Sequence, residues 1–424
     1  MAGEWRDCEW GDIATLEYGR SLRDYATASG TFRVYGTNGP IGWHDKVLCH
    51  HPGVIVGRKG AYRGIHYSPE PFFVIDTAFF IKPKEDLDSR WTYYALKMCD
   101  INGMDSGSAI PSTSRESFYR LPVRVPPLEE QRAITHILGT LDDKIELNRQ
   151  MSETLEAMAR ALFKSWFVVF DPVHAKADGR DPGLPKHIAD LFPDSFEDSE
   201  LGEIPKGWRV GVLNDLTAFL LGGDWGADHA TEDQTEAALC IRGADIPDLQ
   251  RAGRGKMPVR YLKLSSIAKR RLIDGDLVIE ISGGSPTQST GRPAMVSQTL
   301  LSRLEHPLVC SNFCRVLKLK TRSMSKFVYL WLRRLYDNDE FLQYENGTTG
   351  IKNFAISLFS EKCHVVIPPI EVIEAFATIT APFFDRQQRQ GAEADALAAL
   401  RDTLLPKLIS GELRVPNDLE SLCQ

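Results

Sequence analysis

The chain has 424 residues, 43% hydrophobic and 25% charged, which excludes a fibrous repeat and wholesale disorder. It is long enough for roughly three domains of about 150 residues each. Fifty basic residues stand against 57 acidic ones, and the net charge of −7 excludes a uniformly basic nucleic-acid binder. The charge is unevenly placed, however. Residues 1–125 are neutral, 126–200 carry −7, 201–367 carry +4 and 368–424 carry −4. Local field, not global charge, governs attraction of a polyanion.

The first segment, 1–125, reads as mixed α and β. Short β-branched and aromatic runs at Gly53–Gly57, Phe72–Ile75 and Leu121–Val125 alternate with glycine-rich turns, and Trp91–Met98 is amphipathic. The apolar run from Phe72 to Ile81 is broken by Asp76 and is too short to span a bilayer. The segment MAGEWRDCEW has no basic stretch followed by an apolar one, so no secretory signal is expected and a cytoplasmic setting is.

Residues 126–170 read as a long helix opening after Pro126-Pro127. Leu138, Leu141, Ile145, Asn148, Ser152, Leu155, Ala159, Leu162 and Trp166 follow steps of three and four, a heptad-like seam with a polar middle. Residues 171–207, rich in Pro, Gly, Asp and Lys, form a linker. Residues 208–367 repeat the mixed pattern, with strands expected at Asp276–Glu280 and His364–Ile367 and a helix at Lys326–Leu335. A second long helix, 368–412, follows Pro368-Pro369. Its seam is Phe376, Ile379, Phe383, Leu397, Leu400, Leu404 and Leu408, with Arg386 and Gln390 polar in the middle and a kink expected at Pro406. Residues 413–424 are a tail.

The chain is thus an internal duplication. Trp5-Arg6 recurs as Trp208-Arg209, Asp12 as Asp215 and Gly19 as Gly222, a shift of 203. Pro126-Pro127 recurs as Pro368-Pro369, and that shift of 242 holds through Leu128/Ile370, Leu141/Phe383 and Leu162/Leu404. A helix of about 35–40 residues spans roughly 55–60 Å, which suits an antiparallel coiled-coil spacer better than a core element.

No catalytic machinery is legible. There is no GxxxxGK[ST], no GxGxxG after a strand and no HExxH. Asp171-Pro172-Val173 fails the tetrapeptide expected of an adenine methylase. The eight cysteines form no CxxC pair, and Cys310 and Cys314 lack a second pair, so reduced thiols and no metal are expected. What remains is binding furniture: Gly57-Arg58-Lys59-Gly60-Ala61-Tyr62-Arg63-Gly64 in the first half, and Ser282-Gly283-Gly284-Ser285 to Gly291-Arg292 in the second. Glycine admits close backbone approach, and Arg and Lys neutralise phosphates or pair with guanine.

PPLEEQRAITHILGTLDDKIELNRQ (126–150), LEAMARALFKSWFVVFDP (155–172), DLFPDSFEDSELGEIPKGW (190–208) and LRDTLLPKLISGEL (400–413) make the chain resemble the specificity (S, HsdS) subunit of type I restriction-modification enzymes. Tyr35–Gly39 and Ile55–Gly60 resemble that family's recognition domains. Glu371-Val-Ile-Glu374, where the first half has Glu129-Glu-Gln-Arg132, is a departure. The resemblance implies an α/β (α+β) fold with two target-recognition domains separated by an antiparallel helix pair, in pseudo-twofold arrangement. It implies a non-catalytic subunit that reads a bipartite, asymmetric DNA site, docks two methyltransferase (M) subunits and joins restriction/translocase (R) subunits. The chain itself would bind no cofactor, with S-adenosylmethionine and ATP/Mg serving the partner subunits.

Candidate DNA contacts are Arg20, Tyr35, Asn38, Arg58, Lys59, Tyr62, Arg63 and Ser108 in the first domain. In the second they are Arg242, Ser285, Thr287, Arg292, Thr348 and Lys352. The same fold in a methylation-only or differently organised restriction system, or a scaffold that reads no DNA, are the alternatives.

Overall fold

A computed structural model of the chain describes residues 4–25, 29–104, 111–283, 288–347 and 352–415. It divides into two units, Met1–Lys144 with Leu397–Gln424, and Ile145–Ala396. The expected candidates Ser108, Ser285, Thr287 and Thr348 lie outside the described residues.

In the first unit a four-stranded antiparallel sheet runs in the order Ala14–Tyr18, Ala78–Pro83, Gly53–Gly57, Ile65–Ser68. A three-stranded sheet places Phe32–Gly36 between the antiparallel Gly39–His44 and the parallel Phe72–Val74. The second unit has the same plan. Thr217–Gly222, Cys314–Leu319, Leu277–Glu280 and Pro293–Met295 form its four-stranded sheet. Glu236–Ile241 sits between the antiparallel Val259–Leu262 and the parallel Leu308–Cys310.

Each unit is closed by a two-stranded ribbon that joins its first strand to the strand before the Pro-Pro. Arg6 pairs with Val125 in one and Arg209 with Ile367 in the other, the same pairing carried forward by the two shifts of the sequence repeat. A four-residue helix follows each ribbon strand, and its entry is capped alike: Asp12 accepts from the Glu9 amide (3.0 Å) and Asp215 from the Val212 amide (3.1 Å).

One sequence correspondence moves by a residue. A bulge between Thr217 and Phe219 adds a residue to the second unit's edge strand. The partner of Gly19 is therefore Gly223, not Gly222. A Cβ on Gly19 would come within 2.0 Å of the Ile75 carbonyl oxygen, and one on Gly223 within 2.0 Å of that of Ser311, so only glycine fits either crossing.

The two long helices are Leu128–Phe167 (40 residues) and Ile370–Ser410 (41 residues), each starting just after its Pro-Pro. The first ends before Phe170, at φ 58°, and the second before Gly411, at φ 76°. Pro406 lies inside the second helical span. In the first unit Ile134, Leu138, Leu405 and Leu408 enter a core with Trp10, Trp91, Tyr94 and Phe118. In the second, Phe163, Trp166, Phe167 and Phe376 join Trp208 and Phe327.

Of the expected seam, Leu138, Trp166, Phe376 and Leu408 are buried, while Leu141, Ile145, Leu155, Leu162, Phe383, Leu397 and Leu404 are half-buried. The seam is corrected at two places. Leu400 is exposed, and Gln387, not Arg386, turns inward. A straight α-helix drifts about 20° per heptad from a strict 3.5-residue repeat, so a seam extrapolated from one end loses phase. The linker is folded: helices Asp171–Ala177 and Lys186–Ala189 and a hairpin of Phe196–Ser199 with Gly202–Pro205 bring Val173, Ile188, Phe192 and Ile204 into the second unit's core.

Candidate nucleic-acid interface

Four segments of the first unit meet at one surface because short backbone bonds tie them together. Thr37, in the turn of the Phe32–His44 hairpin, donates its hydroxyl to the Lys59 carbonyl (2.9 Å) and accepts at its own carbonyl from Gly64 (3.0 Å). The amides of Arg58 and Lys59 both donate to the Thr77 carbonyl (3.0 and 3.2 Å), and Gly60 donates to Pro111 (3.0 Å). Arg20 enters the same neighbourhood through its amide bond to the Val74 carbonyl (2.9 Å). The predicted Arg20, Asn38, Arg58 and Lys59 are thus brought together, with the side chains of Arg20, Asn38 and Lys59 exposed.

Tyr62 stands 82% exposed at the loop tip. Arg58 is oriented by the Asp76 carbonyl, which accepts from its Nη1 (2.8 Å), and lies 4.8 Å over the Tyr18 ring. Arg115, which sequence reasoning missed, sits 5.2 Å over the same ring. Its position four residues before Tyr119 on a short helix was the available signal, since Tyr119 accepts from its guanidinium at 2.9 Å.

Two candidates are turned inward. Tyr35 is 8% exposed and packs edge-on against Phe72 (5.7 Å). Arg63 is 3% exposed, and its Nη2 donates to the carbonyls of Ile101, Asn102 and Met104 (3.0, 2.8 and 2.7 Å). Beneath the loop lies His66. Burial lowers its pKa below the ordinary 6.5, and a backbone bond at Thr37 offsets only part of that.

The second unit keeps the ties and changes the side chains. Ile281 donates to the Phe313 carbonyl (2.8 Å) where Arg58 donates to Thr77, and Asp224 donates to Cys310 (2.8 Å) where Arg20 donates to Val74. Ile281 therefore stands in place of Arg58, Asp224 in place of Arg20 and Phe313 in place of Thr77. The predicted cations here are paired. Arg292 meets the buried Glu280 (2.8 and 2.9 Å), Lys352 meets Glu345 (3.1 Å), and Arg242 meets Asp245 (2.9 and 3.1 Å). Arg242 keeps partial exposure, 38% of its side chain.

Polar contacts tie the two long helices to each other and, in the first unit, to the module. In the first unit Asp142 accepts from Tyr94 (2.6 Å) and Arg401 (2.7 Å), while Asp143 accepts from Arg90 (2.7 and 3.0 Å). In the second, Asn148 donates to Glu393 (3.0 Å) and Ser152 to Gln390 (3.4 Å). These pairings run antiparallel. Burial pushes the Cys49, Cys240 and Cys314 thiols up to about 12, which keeps them protonated. Among the described residues no group of His, Cys, Asp and Glu could hold a metal, and no helix is long and apolar enough to cross a membrane.

The chain is a duplicated protein: two modules of one topology that differ in the loops they present, with two long helices packed against them. Residues 3–157 match the family described as the type I restriction modification DNA specificity domain. The chain is 27% identical over 355 residues to the HindI specificity subunit of Haemophilus influenzae, covering 72% of this chain and 71% of that one. It is 25% identical over 352 residues to the MjaIX specificity subunit of Methanocaldococcus jannaschii, covering 79% and 71%. The crystal structure of a type I restriction-modification S subunit from M. genitalium has the same fold, with a TM-score of 0.59 at 15% identity over 96% of each chain. By these matches the chain is similar, over most of its length, to the specificity subunits of type I restriction enzymes, and residues 3–157 carry the family match itself.

Proposed function

We propose that this subunit reads a bipartite, asymmetric DNA site, one half with each module, and docks two methyltransferase subunits along its long helices, with restriction subunits joining through them. The observation that supports it is the duplicated scaffold with unlike reading residues: Arg20 and Arg58 in one module stand where Asp224 and Ile281 stand in the other. One scaffold with two chemistries suits two different half-sites. In the first module Arg20, Asn38, Arg58, Lys59 and Tyr62 reach the DNA, with Arg115 beside them. In the second, Arg242 does so. Cofactor chemistry, S-adenosylmethionine for methylation and ATP/Mg for restriction, belongs to the partner subunits, and the complex acts on cytoplasmic, nucleoid DNA in defence against phage. Expressing the chain with its methyltransferase and mapping methylation across a genome tests this. Two short, different, defined halves around a constant gap are expected. A continuous or palindromic motif, or none from an intact complex, overturns it.

A further inference from the structure

We infer that Phe313 is a base-reading residue of the second module, an apolar contact that recognises the 5-methyl group of a thymine. This rests on the DNA-recognition reading above.

Phe313 is 60% exposed, and it joins no aromatic pair, cation–π contact or core cluster among the described residues. Exposure of one ring is ordinary on a surface. Its setting is not. The four-residue turn that carries it is held from several directions: Cys314 donates to the Ser311 carbonyl (2.9 Å), Ser311 to Ile241 (2.9 Å), and Ile281 to Phe313 itself (2.8 Å). Arg315 donates to the carbonyls of Asn312 (3.2 Å) and Cys314 (3.1 Å). Gly223 abuts the same turn with no room for a side chain. A rigid backbone therefore presents a ring that nothing described covers.

The position of that ring is set by the repeat. Phe313 occupies the place of Thr77, whose carbonyl organises Arg58 and Lys59 in the first module. Two cations belong to the same neighbourhood of the backbone: Arg315, held on the Asn312 and Cys314 carbonyls, and Arg270, which donates to the Gly222 carbonyl at 3.0 Å. An exposed aromatic ring with arginines on the same turn and the adjoining strand has the composition of a DNA contact, in which the cations would meet phosphate and the ring an apolar base edge. In the major groove the only apolar base substituent is the thymine methyl. The cations that the sequence suggested at Arg292 and Lys352 are paired to Glu280 and Glu345, which leaves the exposed ring among the unsatisfied groups of this module.

The test uses the subunit in complex with its methyltransferase and the duplex site it methylates. Each thymine of the second half-site is replaced in turn by deoxyuridine, which removes only the methyl group, and Kd is measured. For the natural subunit one replacement is expected to weaken binding about fourfold, the worth of one buried methyl. Phe313→Ala is expected to weaken binding to the thymine duplex by roughly tenfold and to be insensitive to deoxyuridine at that position alone. Phe313→Leu should keep part of the methyl dependence. Unchanged affinity of Phe313→Ala, a second half-site without thymine, or the same deoxyuridine effect in variant and natural subunit overturns the inference while leaving DNA recognition standing. So does strong fluorescence from 2-aminopurine beside the position, which would mark a wedge that unstacks bases. Absence of sequence-selective binding by the natural complex overturns both readings together. Because the ring is exposed, Phe313→Ala should melt at the natural temperature, which separates contact from folding.

Discussion

Trp5 donates its indole N–H to the buried carboxylate of Glu130 (2.9 Å), and in the other half of the repeat Trp208 has no such partner among the described residues, because Val372 stands where Glu130 does. Glu130 also receives Arg414 through both oxygens (2.7 and 2.8 Å), tying the chain's last described segment to the first turn of its first long helix. The departure visible in the sequence, Glu371-Val-Ile-Glu374 for Glu129-Glu-Gln-Arg132, thus exchanges a polar clamp for an apolar one.

Glu130→Ala is expected to destabilise the first unit by about 1–3 kcal/mol, since it strands a donor on Trp5 and frees Arg414. Burial pushes this carboxyl up, but the hydrogen bonds from Arg414 and Trp5 outweigh it and hold its pKa below the ordinary 4.5. A depressed carboxylate contributes stability above its unfolded value and loses it as pH falls through the folded one. The Glu130 contribution should therefore vanish in melts taken well below pH 4.5, where natural and Glu130→Ala proteins converge.

His66 gives a second, separate window. Its folded pKa is below 6.5, so the unfolded chain takes the proton first and stability declines as pH drops from 6.5 toward the folded value, then levels. Thermal melts of His66→Gln should lack this slope. Because His66 lies under the Gly36–Gly39 turn and Gly64, first-half-site affinity should weaken over the same range while second-half-site selectivity does not.

The arginines divide into proposed readers and supports. Arg292→Ala leaves the Glu280 carboxylate buried and unpaired, and is expected to cost about 3–5 kcal/mol of stability in denaturant titrations. Arg58→Ala removes no buried pair. It should leave the melting curve nearly unchanged, weaken DNA binding by about 1–3 kcal/mol and relax one base position in the methylation map.

Two helical glycines should respond in opposite ways to alanine. A Cβ at Gly391 would come within 2.1 Å of the Ala252 carbonyl oxygen, so Gly391→Ala is expected to cost about 1–3 kcal/mol as the loop is pushed off the helix. At Gly139 the Cβ would meet the Arg90 guanidinium at 2.9 Å, the far end of a flexible side chain. There, helix propensity of about 1 kcal/mol favours alanine, and the melt should be unchanged or raised.

Seven residues inserted into the middle of both long helices keep their facing sides in register. Methylation mapping is expected to return the same two half-sites with a longer gap. Altered half-sites around the same gap would contradict the helices' proposed role as spacers.

The duplication, the two long helices and the strands at Gly53–Gly57 and His364–Ile367 follow from the amino-acid order alone, because periodicity and Pro-Pro stops are local signals. So does the glycine-rich loop Gly57–Gly64, proposed above to read DNA. Which of its side chains face outward does not. Arg58 and Arg63 lie five residues apart in one glycine-rich run, yet one rests on an exposed tyrosine and the other is sealed by carbonyls some forty residues away. Arg292 reads as a free cation until tertiary structure sets Glu280 against it on the neighbouring strand. Tyr62 was visible as a loop aromatic, whereas no sequence signal singled out Phe313, in the run Ser311-Asn312-Phe313-Cys314-Arg315. A charged or aromatic residue becomes a reader when nothing in the fold satisfies it, and that depends on partners distant in sequence.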